Sequence, residues 1–141
     1  MKKFAFLILL IAHPAFASKV YFENLKDGAT LKNPVIINMG VDGMKIRPAG
    51  QDANDKTTGH HHLIIDGGPI KAGDVIPTDA KHLHFGKGQT STELNLPPGE
   101  HTLTLQFADG AHRSYGPGMA TTVKIKVEGP EVKKMEDKSG Y

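Results

Sequence analysis

The segment PPGEHTLTLQFADG, residues 97–110, sets the fold class because apolar and polar side chains alternate along it. Leu103, Leu105 and Phe107 fall on one face of an extended chain, and the polar residues between them fall on the other. Pro-Pro-Gly precedes this run and Asp-Gly follows it, and both are turn signals. The pattern predicts a β-strand with one face against a core.

Outward from this segment, similar short runs rich in β-branched or aromatic residues are separated by glycine, proline and aspartate. They lie at residues 19–22, 35–41, 61–65, 91–96 and 121–127. The mature chain shows no helical periodicity, and residues 47–59 and 67–80 have the composition of loops. Strands at this spacing predict an all-β, antiparallel immunoglobulin-like β-sandwich of about seven strands over residues 18–128.

Histidines are concentrated in two of these segments, GHHHLIID at residues 59–66 and HLHFGKGQT at residues 82–90. Alternate side chains of a strand share a face, so His60 lies beside His62, and His82 beside His84. If the two strands are close, the imidazoles converge, and imidazole is the commonest protein ligand for transition metals. We therefore predict a metal site from these H-x-H pairs, with His112 in the loop DGAHRSYGPGM as a further ligand.

Two other histidines are predicted to be structural. His61 shares the apolar face with Leu63 and Ile65, which indicates a buried, hydrogen-bonded core residue. His101 follows a turn at a strand entrance, where an imidazole commonly bonds the turn. Neither is expected to bind metal.

Other side chains bear on the metal and its surroundings. The chain has no cysteine, which excludes disulfides, thiolate ligation and the usual blue-copper centre, and leaves copper or zinc as candidates. Met119 is a candidate soft ligand. Asp66, Asp79 and Asp109 are placed either to orient imidazoles or to serve as ordinary turn residues.

The N-terminus has the features of a signal peptide over residues 1–17. Lys2 and Lys3 precede an apolar stretch too short to span a bilayer comfortably, and Ala15-Phe16-Ala17 is a typical cleavage motif. We therefore expect a periplasmic or secreted protein with no stable membrane span after cleavage. Residues 129–141 are rich in charge and are expected to form a disordered tail.

The net charge of the chain and the motifs that it contains limit the classes of function that we expect. The chain has 17 basic and 15 acidic residues, so loss of Lys2 and Lys3 with the signal leaves it formally neutral, and no nucleic-acid partner is expected. No serine, cysteine or paired-carboxylate constellation indicates metal-free catalysis. An enzyme would need a metal site, copper for example, with an open coordination position.

Two functions remain open at this point. The first is a metal-binding module for copper or zinc. The second is a non-catalytic immunoglobulin-like module that binds an envelope protein, a peptide or a glycan, in which the histidines form a structural hydrogen-bond network.

A long part of the chain also resembles a known family. RPAG at residues 47–50, GHHHLIID, and the run from IPTD at residue 76 to GAH at residue 112 are similar to the signature of small exported bacterial domains of unknown function. The chain departs from it at Ile64, where the signature has leucine, and by an extra Thr-Ser before Thr92-Glu93. The resemblance implies no biochemical role. It does mark a set of positions: His60, His61, His62, His82, His84, Gly86, Gly88, Gln89, His101 and His112.

Overall fold

The computed structural model describes residues 16–129. The expected signal peptide and charged tail lie outside the described residues, except for Phe16, Ala17 and Gly129. The described residues form nine strands and one short 3₁₀ helix, Pro117–Met119. The strands are β1 Lys19–Phe22, β2 Ala29–Leu31, β3 Val35–Asp42, β4 Lys45–Ile46, β5 Thr58–Ile65, β6 His82–His84, β7 Ser91–Leu94, β8 Gly99–Ala108 and β9 Ala120–Val127.

The strands form two sheets, and the expected all-β sandwich is confirmed. The smaller sheet has the order β1-β3-β7, and the larger has the order β2-β9-β8-β5-β4, with β6 also paired to β5. Most pairs are antiparallel, as expected, but β2 runs parallel to β9 and β4 runs parallel to β5. The runs predicted as strands all contain strands, and the short β2 and β4 are additional to them.

The hydrophobic core lies between the sheets. Alternate residues of β8 supply Leu103, Leu105 and Phe107, which are 0% exposed, and β5 supplies Leu63. The smaller sheet contributes Ile37 and its neighbours on β3. This is the inward face that the alternation in residues 101–107 predicts.

The outer face of β5 and β8 is buried as well, because two loops cover it. Gln106, on this face, accepts a hydrogen bond from Ile70 N–H at 3.0 Å and donates Nε2–H to Gly116 O at 2.9 Å. The two loops also pair with each other, since Gly73 N–H donates to Ser114 O at 2.9 Å. Consequently, seven successive residues of β5 are buried, on both of its faces. Polar side chains on this strand are therefore shielded from solvent.

Within residues 16–129, no helix has the length and apolar character needed to cross a membrane.

Candidate metal site

Four imidazoles converge beneath the covering loops, and we call them the His cluster: His60, His62, His84 and His112. One ring nitrogen from each lies within 4.8 Å of those of the others. Strand pairing explains the meeting, because His62 is directly opposite His84 in the β5–β6 pair. His60 is opposite Ala108, the last residue of β8, and the loop that carries His112 begins there.

Two of the nitrogen–nitrogen spacings resemble those around a bound ion. His62 Nε2 lies 3.0 Å from His60 Nε2, and His60 Nε2 lies 3.3 Å from His112 Nδ1. Two nitrogens bound to one ion at about 2.0 Å in a tetrahedral site are about 3.3 Å apart. The His cluster can therefore hold a transition metal with small ring movements.

The four rings of the His cluster differ in burial, and we call His60 and His62 its floor and His84 and His112 its rim. His60 and His62 are 0% exposed, whereas His84 and His112 are half-buried. Three ring nitrogens are buried without a hydrogen-bond partner among the described residues: His60 Nδ1, His62 Nδ1 and His84 Nε2. Buried polar atoms in native proteins are nearly always paired, so three in one cluster require an explanation.

Burial keeps these rings neutral. Burial first, and charge repulsion from the neighbouring imidazoles second, lower the pKa of His60 to about 4 and that of His62 to about 3. The pKa of His84 is also lowered, first by burial and then by His112. Neutral imidazole is the form that binds metals, so at pH 7 the floor of the cluster is in the ligating state.

Gly86 makes room for the ring of His84. A Cβ at position 86 would overlap the His84 imidazole. The loop after β6 is fixed by two backbone hydrogen bonds, from Phe85 N–H to His61 O at 3.1 Å and from Ala49 N–H to Gly86 O at 2.8 Å. The small residue and these two bonds set the direction of His84.

A tight turn built on Asp109 positions His112. His112 adopts a left-handed backbone, φ +63°, and its N–H donates to Asp109 O at 2.9 Å. The Asp109 carboxylate is 1% exposed and accepts hydrogen bonds from Ala111 N–H, Arg113 N–H and, at 2.7 Å, Arg113 Nε–H. Burial acts to raise the pKa of Asp109, but these donors outweigh it and hold the pKa below its usual value.

His82 is not in the His cluster, contrary to the expectation that both H-x-H pairs contribute two rings. It is opposite Ile64 in the β5–β6 pair, on the cluster's face but one strand repeat of about 7 Å beyond His84. Its Nδ1 lies 2.9 Å from the Asp79 carboxylate. The offset along the strand and this hydrogen bond keep its ring away from the cluster.

The two histidines predicted to be structural lie outside the His cluster. His61 is 0% exposed and packs edge-on against Phe107, with 5.1 Å between ring centroids. The expected hydrogen bond is absent, since neither of its ring nitrogens has a partner in the described chain, and burial lowers its pKa to about 4. His101 Nε2 lies 2.7 Å from Pro97 O and its Nδ1 3.2 Å from the Asp66 carboxylate, as a structural role requires.

The residues considered as secondary partners of the metal make no side-chain hydrogen bond to the cluster rings in the described chain. Asp66 pairs with His101, Asp79 pairs with His82, and Asp109 bonds its own turn and Lys56. Met119 packs into the hydrophobic core, 7% exposed, and is not one of the clustered ligands. Of the two roles expected for these aspartates, orienting a metal-binding imidazole or forming a turn, Asp109 therefore has the second.

Comparison with known proteins gives a family for the chain. Residues 37–128 match the model of a family described as Domain of unknown function (DUF4399). The chain belongs to this family. The matched part of this DUF4399 chain runs from β3 to β9 and contains the whole His cluster. No curated protein matches the chain.

The sequence assigns no supporting role to the residues that hold the cluster, although the family resemblance marks Gly86 as a motif position. Arg113 and Gly86 are examples, since one fixes the His112 turn and the other admits the His84 ring. A weak signal was present in DGAHR, where aspartate and glycine start a turn and arginine follows four residues after the carboxylate. Nothing local to Gly86 indicated that it would meet His84.

Proposed function

We propose that this DUF4399 chain is an exported domain that binds a transition metal, copper or zinc, through the His cluster. The observation that carries the proposal is the convergence of four imidazoles with ligand atoms within 4.8 Å of one another. The lowered pKa values of His60 and His62 support it, because both rings are neutral and ready to ligate.

The competing function is the non-catalytic module for an envelope protein, peptide or glycan, with the histidines as a hydrogen-bond network. Part of such a network is present, since His60 Nε2 lies within hydrogen-bond distance of His62 Nε2 and His112 Nδ1, but His84 Nε2 is buried with no partner among the described residues. Each unpaired buried polar atom costs about 1–3 kcal/mol. Ligation accounts for the clustering of imidazoles better than such a network does.

Export is the second part of the proposal. The basic start, short apolar stretch and Ala-Phe-Ala motif support cleavage after Ala17 and a periplasmic or secreted location. N-terminal sequencing of protein from the cell envelope or medium tests this. A chain that begins at Ser18 is the expected product, and an uncleaved chain retained in the cytoplasm would contradict export.

Metal retention tests the binding itself. The protein is purified without a histidine tag, loaded with excess Cu(II) or Zn(II), dialysed, and its bound metal measured by elemental analysis. We expect about one ion per chain, and a large loss in a His84→Ala/His112→Ala double variant, which alters only the half-buried rim and so spares the core.

Two matched controls separate the cluster from its neighbours in sequence. His82→Ala removes an imidazole beside His84 that pairs with Asp79, and His61→Leu removes the middle ring of the triple histidine, which packs in the core. Both variants should retain metal. If the native protein retains no more than the His84→Ala/His112→Ala variant, the proposed function is wrong.

A further inference from the structure

The arrangement of the rings restricts which ion the His cluster suits. With metal–nitrogen bonds of about 2.0 Å, four imidazoles in a tetrahedron have all six centroid pairs about 5.2 Å apart. In a square plane, four pairs are about 4.5 Å apart and the two opposite pairs about 6.4 Å. The six measured separations can therefore distinguish the two geometries.

The measured separations fit the tetrahedron. Five of the six lie between 4.6 and 5.1 Å, and only His62–His112 is longer, at 5.8 Å. A square plane would require the complementary pair, His60–His84, to be long as well, but it measures 5.0 Å. No division of the four rings into two opposite pairs gives two long distances.

The protein holds this arrangement from three directions. His60 and His62 lie within β5, which pairs with β8 on one side and with β6 and β4 on the other. His84 is limited by Gly86, and His112 by the Asp109 turn and by Ile76 N–H, which donates to His112 O at 2.9 Å. A planar arrangement would require these paired segments to move.

The chemistry of the ligands further restricts which metal ion the His cluster suits. Zn(II) has no geometric preference from its d electrons and is commonly tetrahedral, whereas Cu(II) favours tetragonal sites. Cu(I) prefers soft sulfur ligands, but the chain has no cysteine and Met119 is packed in the core. Imidazole nitrogen in a tetrahedron is a donor set that suits Zn(II).

We propose that the His cluster is a closed tetrahedral Zn(II) site in which all four coordination positions are filled by imidazole. This inference rests on the proposed function and specifies its metal. A closed site leaves no position for an attacking water, so the ion would serve for structure, storage or transfer rather than hydrolysis.

Cobalt spectroscopy tests the geometry. Co(II) replaces Zn(II) in proteins, and its visible absorption is intense in a tetrahedral site and weak in an octahedral one. The tag-free protein titrated with Co(II) should develop intense bands that reach a plateau at one equivalent and disappear when Zn(II) is added. His82→Ala should give the same spectrum, and His112→Ala a changed one, because water then enters the coordination shell.

The outcomes separate the two proposals. Weak, octahedral-type bands from bound cobalt would overturn the tetrahedral assignment and leave metal binding intact. In a second experiment, the protein is loaded with Cu(II) alone, because Cu(II) binds nitrogen ligands more tightly than Zn(II) and only its spectrum reports the arrangement of the ligands. We expect an electron paramagnetic resonance spectrum of copper distorted from the plane toward a tetrahedron. A square-planar copper spectrum would overturn the tetrahedral zinc assignment alone, whereas failure to retain Co(II), Zn(II) or Cu(II) would overturn the proposed function as well.

Discussion

The Asp109 carboxylate is the side chain that connects stability to the position of His112. It is almost fully buried, yet it is ionised and accepts hydrogen bonds from both the backbone and the side chain of Arg113. Hydrogen bonds to a charged group are worth about 1.5–3 kcal/mol each. A neutral side chain of the same shape should therefore weaken the turn without filling or emptying space.

We expect Asp109→Asn to lower the free energy of unfolding of the metal-free protein by about 2 kcal/mol at pH 7. The pKa of Asp109 in the folded protein lies below its usual value, so protonation favours the unfolded chain, and the carboxylate's contribution disappears as the pH falls. The difference between native and variant protein should be complete above about pH 4 and shrink below it. Urea unfolding at pH 7 and pH 3 measures it.

Asp74→Asn is the control for this prediction, because the Asp74 side chain is exposed and makes no hydrogen bond or ion pair within the described chain. It should leave the free energy of unfolding unchanged at both pH values. A gap between native protein and Asp109→Asn that stays constant down to pH 3 would mean that the carboxylate charge is not the source of the stabilisation.

At the level of single residues, the sequence predicts which histidines share a face but not which of them meet. Alternation along β5 separates His61 from His60 and His62, and the structure agrees. Whether His82 or His84 lies opposite His62 depends on the register between two distant strands, which local alternation does not determine. His82 therefore fits the local pattern but lies one repeat too far along the strand.

At the level of elements, β6 and the loop after it form the side of the site with the least strand pairing. β6 has three residues and, among the strands of the described chain, pairs with β5 alone, so the direction of His84 depends on the few contacts of residues 85 and 86. Gly86 is not among the glycines with positive φ, so its backbone accepts alanine. The three atoms nearest to the added methyl group all belong to the His84 ring.

We predict that Gly86→Ala lowers the affinity for Zn(II) by about 10- to 100-fold, the range seen when the support of a metal ligand is disturbed. The Cβ would overlap the His84 imidazole and turn it away from the other three rings. Titration against a zinc chelator measures the affinity, and circular dichroism checks that the fold is kept. Gly68→Ala is the matched control, because a Cβ there has no neighbour within 4 Å. Equal affinities for the two variants would show that His84 does not bind the ion.

The strands also differ in how well the alternation of apolar and polar residues in the sequence predicts them. Strands of four or more residues with clear alternation, such as β8 and β9, follow directly from the sequence. β2 and β4 have three and two residues, too few for a periodic signal, and their parallel pairing depends on where longer strands bring them. The burial of both faces of β5 also has a distant cause, since it comes from loops that follow β5 and β8.

At the level of the whole molecule, the His cluster joins parts of the chain that are far apart in sequence. Its rings come from β5, from β6 and from the turn after β8, so an ion bound to all four would connect three segments that are otherwise held by hydrogen bonds and packing. An ion that binds the folded chain and not the unfolded one stabilises the fold in proportion to the logarithm of its concentration.

We therefore expect Zn(II) at 100 times its dissociation constant to stabilise the protein by about 2.7 kcal/mol. For a domain of this size, that corresponds to a rise in Tm of about 10 °C or more. Scanning calorimetry of the tag-free protein, with Zn(II) and with a chelator, measures the shift. His82→Ala should show the same shift, whereas His84→Ala/His112→Ala should show almost none, because two ligands cannot hold the ion against solvent. An equal rise in the double variant would mean that zinc stabilises the sandwich elsewhere and that the His cluster does not hold it.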